Sequence, residues 1–175
     1  VFIVIFIDNE NLRPMDRNRV LTQAQRFLRE VMYPHVQVMV VSYQRSLKVE
    51  QPFTNDSKAI SDALRRVRKM NAARPTQDTE RKKILSRFAS LQSGGTRGDD
   101  RDRMEIEDSI RSFADVIATE LDFAINAVRE VSMTLSGLVG RKYLIHVASG
   151  LPMVPAKDLM YQYSTTFQSR STLSM

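Results

Sequence analysis

Val1-Phe2-Ile3-Val4-Ile5-Phe6-Ile7, followed by Asp8-Asn9-Glu10-Asn11, is the stretch that decides the fold. Its first seven residues are all β-branched or aromatic. Such a run suits a strand covered on both faces, as in a parallel sheet flanked by helices. The polar residues after Ile7 end the strand and put side-chain oxygens at its carboxyl end. From Asp16 onward Val20, Ala24, Phe27, Leu28 and Val31 recur at helical spacing, which predicts a crossover helix. Val36-Gln37-Val38-Met39-Val40-Val41 reads as the next strand. Leu47-Lys48-Val49-Glu50 alternates like an edge strand that Pro52 stops, and the short link from Tyr43 to Ser46 predicts a hairpin.

Downstream, Thr54-Asn55-Asp56 supplies capping side chains for a helix carrying Ile60, Leu64 and Val67. A second helix is expected to hold Ile84, Leu85, Phe88 and Leu91. From Gln92 to Arg103 the chain is small, polar and charged, with nothing to bury, so a loop or disordered insertion is expected there. Ile106, Ile110, Phe113, Ile117, Leu121, Ala124, Val128, Val131 and Leu135 then step by three or four, predicting one long amphipathic helix over the sheet. Gly137 and Gly140 end it. Lys142-Tyr143-Leu144-Ile145-His146-Val147-Ala148 is a further strand, closed by Ser149-Gly150. A short helix can start at Lys157, and Gln168 to Met175 is expected to fray.

Alternating strands and helices predict an α/β, Rossmann-like fold, a mostly parallel sheet with helices on both faces. If the strand from Val36 lies on one side of the first strand and that from Lys142 on the other, the connections diverge. A crevice then opens at the strands' carboxyl ends. Asp8 to Leu12 and Ser149 to Pro155 would border it, making Asp8, Asn9, Glu10, Asn11, Ser149 and Gly150 the candidate ligand-binding residues.

The 175 residues, 42% hydrophobic, suffice for one core, and a single domain over 1–175 is expected. The net charge of +6 is spread over helical segments that also carry Asp and Glu. It therefore reads as a solvated basic surface, with no nucleic-acid partner implied. The absence of cysteine excludes disulfides, thiolate catalysis and cysteine metal sites. No apolar run is long enough to span a membrane. The chain opens without Met inside its first strand, which suggests a piece of a longer polypeptide whose targeting signal would lie upstream.

Ile5-Phe6-Ile7-Asp8, Met39-Val40-Val41-Ser42-Tyr43, the stretch Leu47 to Thr54 and the stretch Gly140 to Pro152 resemble, in order and spacing, the bacterial von Willebrand factor A-related domains, many of them from acidobacteria. The resemblance runs from Val1 to about Leu159, with 72–103 poorly matched, and the family's last two strands would be missing. It implies an exported or extracytoplasmic module that binds a protein ligand. It also implies an open sheet edge through which a homodimer could form.

Such domains hold Mg²⁺ through an Asp-x-Ser-x-Ser loop, a Thr from a later loop and a second Asp. Here Asp8 matches the first ligand, but Glu10 and Leu12 occupy the serine positions and Ser149 stands where the second Asp belongs. Asp8 and Glu10 are thus the only candidate metal ligands, with Thr96 unplaced. The expectation is a degenerate metal-ion-dependent adhesion site with no tightly bound cofactor, weak Mg²⁺ at most, and no catalytic residues. A plainer role for Asp8 and Asn11 is hydrogen bonding to amides of the following turn.

Phe6-Ile7-Asp8-Asn9-Glu10-Asn11-Leu12 is also similar to the first motif of NYN/PIN-like ribonucleases. That alternative requires carboxylates from several strand ends around the metals, and Ala148-Ser149-Gly150 offers none. A third alternative is an assembly scaffold with no metal site. Arg97-Gly98-Asp99 reads as a solvated loop, and His35 and His146 as packed or hydrogen-bonded side chains without ligand spacing.

Overall fold

The computed structural model describes residues 1–71, 74–93 and 100–167. Four strands form one sheet, in the spatial order β3-β2-β1-β4. They are β1 (Phe2–Asp8), β2 (Gln37–Gln44), β3 (Ser46–Thr54) and β4 (Lys142–Val147). β1 runs parallel to both neighbours, from Phe2↔Gln37 to Asp8↔Tyr43 on one side and from Phe2↔Lys142 to Ile7↔Val147 on the other. β2 and β3 are antiparallel, with register shifts around Val40. Arg45 turns the hairpin in the left-handed region at φ 58°, a conformation that costs a side-chain-bearing residue energy. The strand neighbours expected from the sequence are those observed.

The first run is apolar throughout because both of its faces are covered. Ile3, Ile5 and Ile7, with Val36, Val38 and Val40, pack against Leu21 and Leu28 of α1 (Pro14–Val31) and Ile60, Ala63, Leu64 and Val67 of α2 (Ser57–Arg68). Val4 and Phe6, with Met39, Val41 and Tyr43, pack on the other face against Ala124, Ala127, Val131 and Leu135 of α4 (Asp100–Ser136). Each such fully buried aliphatic side chain contributes about 1.5–3 kcal/mol. α1 starts with Pro14 in its first turn, where a missing N–H costs nothing. α2 is capped as its sequence predicts: Asp56 accepts a 2.8 Å hydrogen bond from the Lys58 amide. Gly140, at φ 116°, makes the turn into β4.

The described residues divide into two compact units: the sheet unit, Val1–Pro75 with Asp122–Leu151, and a helical unit, Thr76–Leu121 with Pro152 onward. The helical unit comprises most of α3 (Arg74–Ser93), α4 up to Leu121, and α5 (Lys157–Phe167). Its core is Ile84, Phe88, Ile106, Ile110, Ala156 and Leu159. The Phe88 ring lies 6.4 Å from that of Tyr163 and 6.1 Å from that of Phe167. Arg81 donates to Asp158 at 2.8 Å, and Gln77 donates to Glu120.

Three expectations need correction. Pro52 does not stop the edge strand, since β3 continues to Thr54 and an edge position tolerates its missing N–H. The apolar stripe of α4 does not cover the sheet along its length, because Ile106 and Ile110 pack with α3 and α5 and only the part from Ala124 onward faces strands. Helix takes both ends of the loop expected from Gln92 to Arg103, since α3 runs to Ser93 and α4 begins at Asp100. Acidic residues in a first turn favour the helix dipole, and Arg101 pairs with Glu105 one turn on at 3.5 Å. Thr96, the tripeptide Arg97-Gly98-Asp99, and Gln168 to Met175 lie outside the described residues. Among the described residues no helix is long and apolar enough to cross a membrane.

Candidate functional site

β1 delivers Asp8 to the carboxyl end of the sheet, and the chain then turns at once. Asp8, Asn9, Glu10 and Asn11 are all buried, Asp8 and Asn9 completely. Asp8 Oδ1 accepts the Asn11 amide at 3.0 Å and Oδ2 accepts Asn11 Nδ2 at 2.8 Å. Both carboxylate oxygens are therefore engaged by one residue, the local turn bonding that the sequence also offered for this pair. Burial pushes the Asp8 carboxyl above its ordinary 3.8, against the lowering pull of the Asn11 bonds, His146 and the Glu10 amide.

The sequence offers His146 only as a packed or hydrogen-bonded side chain. The parallel register sets it beside Phe6, ring to ring at 5.1 Å, with Nε2 4.0 Å from Asp8 Oδ2. Burial pushes this imidazole below its ordinary 6.5, with Asp8 pulling the other way. Both groups shift toward their neutral forms, so desolvation outweighs their mutual attraction at that separation. The signal in the sequence was parity: Asp8, Phe6 and Val4 alternate onto one face, and β4 in parallel register places His146 there.

Asn9 points into the molecule. Its Oδ1 accepts Arg17 Nη1 at 3.3 Å and its Nδ2 reaches the Met70 sulfur at 3.3 Å. Arg17, only 3% exposed, passes on to the Arg68 carbonyl at 2.9 Å and so ties the turn after β1 to the end of α2. Burial lowers the Arg17 guanidinium from its usual value. Glu10 lies 4.0 Å from the exposed guanidinium of Arg45 at the β2–β3 turn, a neighbour that sequence reasoning missed. Leu12, at a serine position of the adhesion motif, is 1% exposed and belongs to the apolar core.

Ser149 and Gly150 are exposed. The Ser149 amide donates to the Asn11 carbonyl at 3.3 Å, so the loops after β1 and β4 meet as the topology required. Gly150, at φ 95°, has the backbone that only glycine adopts without strain. Among the described residues, no three His, Asp or Glu side chains are grouped so that they could hold a metal ion.

A further buried carboxylate, without a signal in the sequence, lies on β3. Glu50 on β3 accepts Ser42 Oγ at 2.9 Å and faces Lys48 at 3.2 Å and Arg66 at 3.9 Å. Inward charges of this kind discourage strand addition at a sheet edge.

Fold and site together define an α/β protein with a mostly parallel mixed sheet whose loops after β1 and β4 meet beside the first strand. No protein-family model matches the chain, and no curated protein matches it.

Proposed function

We propose that the chain is a non-catalytic, protein-binding module of the von Willebrand factor A-like kind, from an exported bacterial protein, with a degenerate metal-ion-dependent adhesion site. One observation carries the reading: the 3.3 Å bond from the Ser149 amide to the Asn11 carbonyl joins the loops after β1 and β4 at the carboxyl ends of adjacent parallel strands. Open α/β sheets present ligand surfaces at such places. Export and a bacterial source rest on the sequence resemblance alone.

The donor set fits a hard divalent ion poorly. Mg²⁺ seeks six oxygens in a near-ideal octahedron. Asp8 has both oxygens engaged by Asn11, Leu12 has no oxygen to offer, and Ser149 brings a hydroxyl in place of a carboxylate. Ligand recognition therefore runs through the loop surfaces themselves, with no bridging ion.

Calorimetric titration with Mg²⁺ and Mn²⁺ tests this reading. Affinity is expected no tighter than about 10⁻³ M, the weak end of oxygen-ligated sites. Micromolar binding that Asp8→Ala abolishes would restore an adhesion-type site. Metal-dependent cleavage of single-stranded RNA lost in the same variant would replace the module with a nuclease.

Among the described residues β4 pairs with β1 alone, and such an open edge also favours a homodimer by strand addition. Light scattering is expected to give twice the chain mass at high concentration. A monomer at every concentration removes this dimer from the proposal.

A further inference from the structure

The loops after β1 and β4 do not account for a concave surface elsewhere on the sheet unit. A groove of about 420 Å³ lies between the C-terminal half of α1 and the first two-thirds of α2, lined in part by Leu28, Arg29, Lys58 and Arg65. That volume falls within the range of about 300–1,000 Å³ common for binding clefts. No lining residue belongs to either loop of the candidate site.

Its chemistry is one-sided. Leu28, 5% exposed, gives an apolar floor, and Gln25 reaches across to Ser61 at 3.4 Å. Arg29, Lys58 and Arg65 stand exposed on the rim. The one acid among the lining residues, Asp62, is 3.0 Å from Arg65 in a pair whose side chains are 63% and 40% exposed. Such surface pairs are worth little and open readily to a competing carboxylate. Further along the same helix seam Arg68 donates to the Asn18 carbonyl at 3.3 Å and to Thr22 at 3.1 Å, which extends the basic edge.

We infer that this groove binds an acidic segment of a partner protein, its carboxylates paired with Arg29, Lys58 and Arg65 and an apolar side chain set on Leu28. Guanidinium groups match carboxylates in a planar, two-bonded geometry, and the ammonium of Lys58 adds a point charge. The apolar floor takes a side chain that a simple anion lacks. A nucleic acid fits less well, because the lining contains no aromatic ring on which a base could stack.

The test is fluorescence anisotropy with the whole chain and a labelled hexapeptide of alternating glutamate and leucine. Single-stranded RNA of similar length serves as the second probe. Saturable peptide binding that weakens with salt is expected, and Arg29→Glu/Lys58→Glu is expected to lose at least tenfold in affinity. Arg129→Glu/Arg141→Glu, with the same change in net charge away from the groove, should bind as the parent does. Thermal melting of both double variants should match the parent, since all four side chains are exposed. The inference is overturned if the peptide does not bind, if both double variants lose affinity equally, or if RNA binds more tightly and is lost with the Arg29/Lys58 reversal. Each of those results would point to no site, to general charge attraction, or to a phosphate-binding face.

Discussion

Asn11 does more for Asp8 than any other residue, and its removal has a readable cost. Asn11→Ala leaves the main-chain bond to Oδ1 but strips Oδ2 of its 2.8 Å donor inside a completely buried side chain. Leaving a buried acceptor unsatisfied costs about 1–3 kcal/mol. Urea melts of the variant should show an unfolding free energy lower by that amount, and a carboxyl-detected NMR titration should place Asp8 still higher. An unchanged or lower Asp8 value would mean that Asn11 is not what holds the charge. His146 gives a second, independent reading. Its folded value lies below the ordinary 6.5, so its stability contribution is complete above that pH and is lost as pH falls through the folded value. Asp8 acts in the opposite sense: with its value raised, its contribution is present below 3.8 and is lost as pH rises through the folded value. His146→Gln should therefore lose less stability than the parent between about pH 7 and pH 5. Equal losses in urea melts of the two proteins would show that His146 is as well solvated folded as unfolded.

Helix α4 is the element whose destination could not be read from its pattern. A repeat of three and four marks an apolar stripe but is the same whichever surface the stripe meets. In the structure Ile110 and Val131, 0% and 1% exposed, serve different cores, while Ile117 between them is only partly buried. An unpaired charge in a closed core costs several kcal/mol. Val131→Asp and Ile110→Asp should each destabilise by about 3–5 kcal/mol and Ile117→Asp by about 1, set by how far each carboxylate stays from water. Differential melting of the three variants decides this, and a cost at Ile117 equal to the other two would show that the stripe is continuously buried.

The strands were easier, because Val1 to Ile7 has only one environment in which seven apolar residues in a row are stable. Their order enters the sequence reading only as a condition, with the strands from Val36 and Lys142 on opposite sides of the first, and the meeting of the Asp8 and Ser149 loops follows once that condition holds. What remained hidden were contacts made by exact register and by hairpin geometry: His146 beside Asp8, Arg45 beside Glu10, and Glu50 turned inward among Ser42, Lys48 and Arg66. Register shifts near Val40 decide which face Glu50 takes, and the alternation from Leu47 to Glu50 does not announce them.

At the scale of the molecule, the pairing of β1 with β4 joins residues 140 positions apart, as in Phe2↔Lys142. β2, by contrast, follows β1 after a single helix, and β3 follows β2 through a tight turn. During synthesis at about 5–20 residues per second, the flank of β1 that will receive β4 waits about 7–28 seconds for its partner. Over that interval a nascent chain displays an apolar strand with a row of unpaired amides and carbonyls, the form most prone to join a neighbouring chain. That flank is therefore the place where association between nascent copies competes with folding until Val147 has emerged from the ribosome.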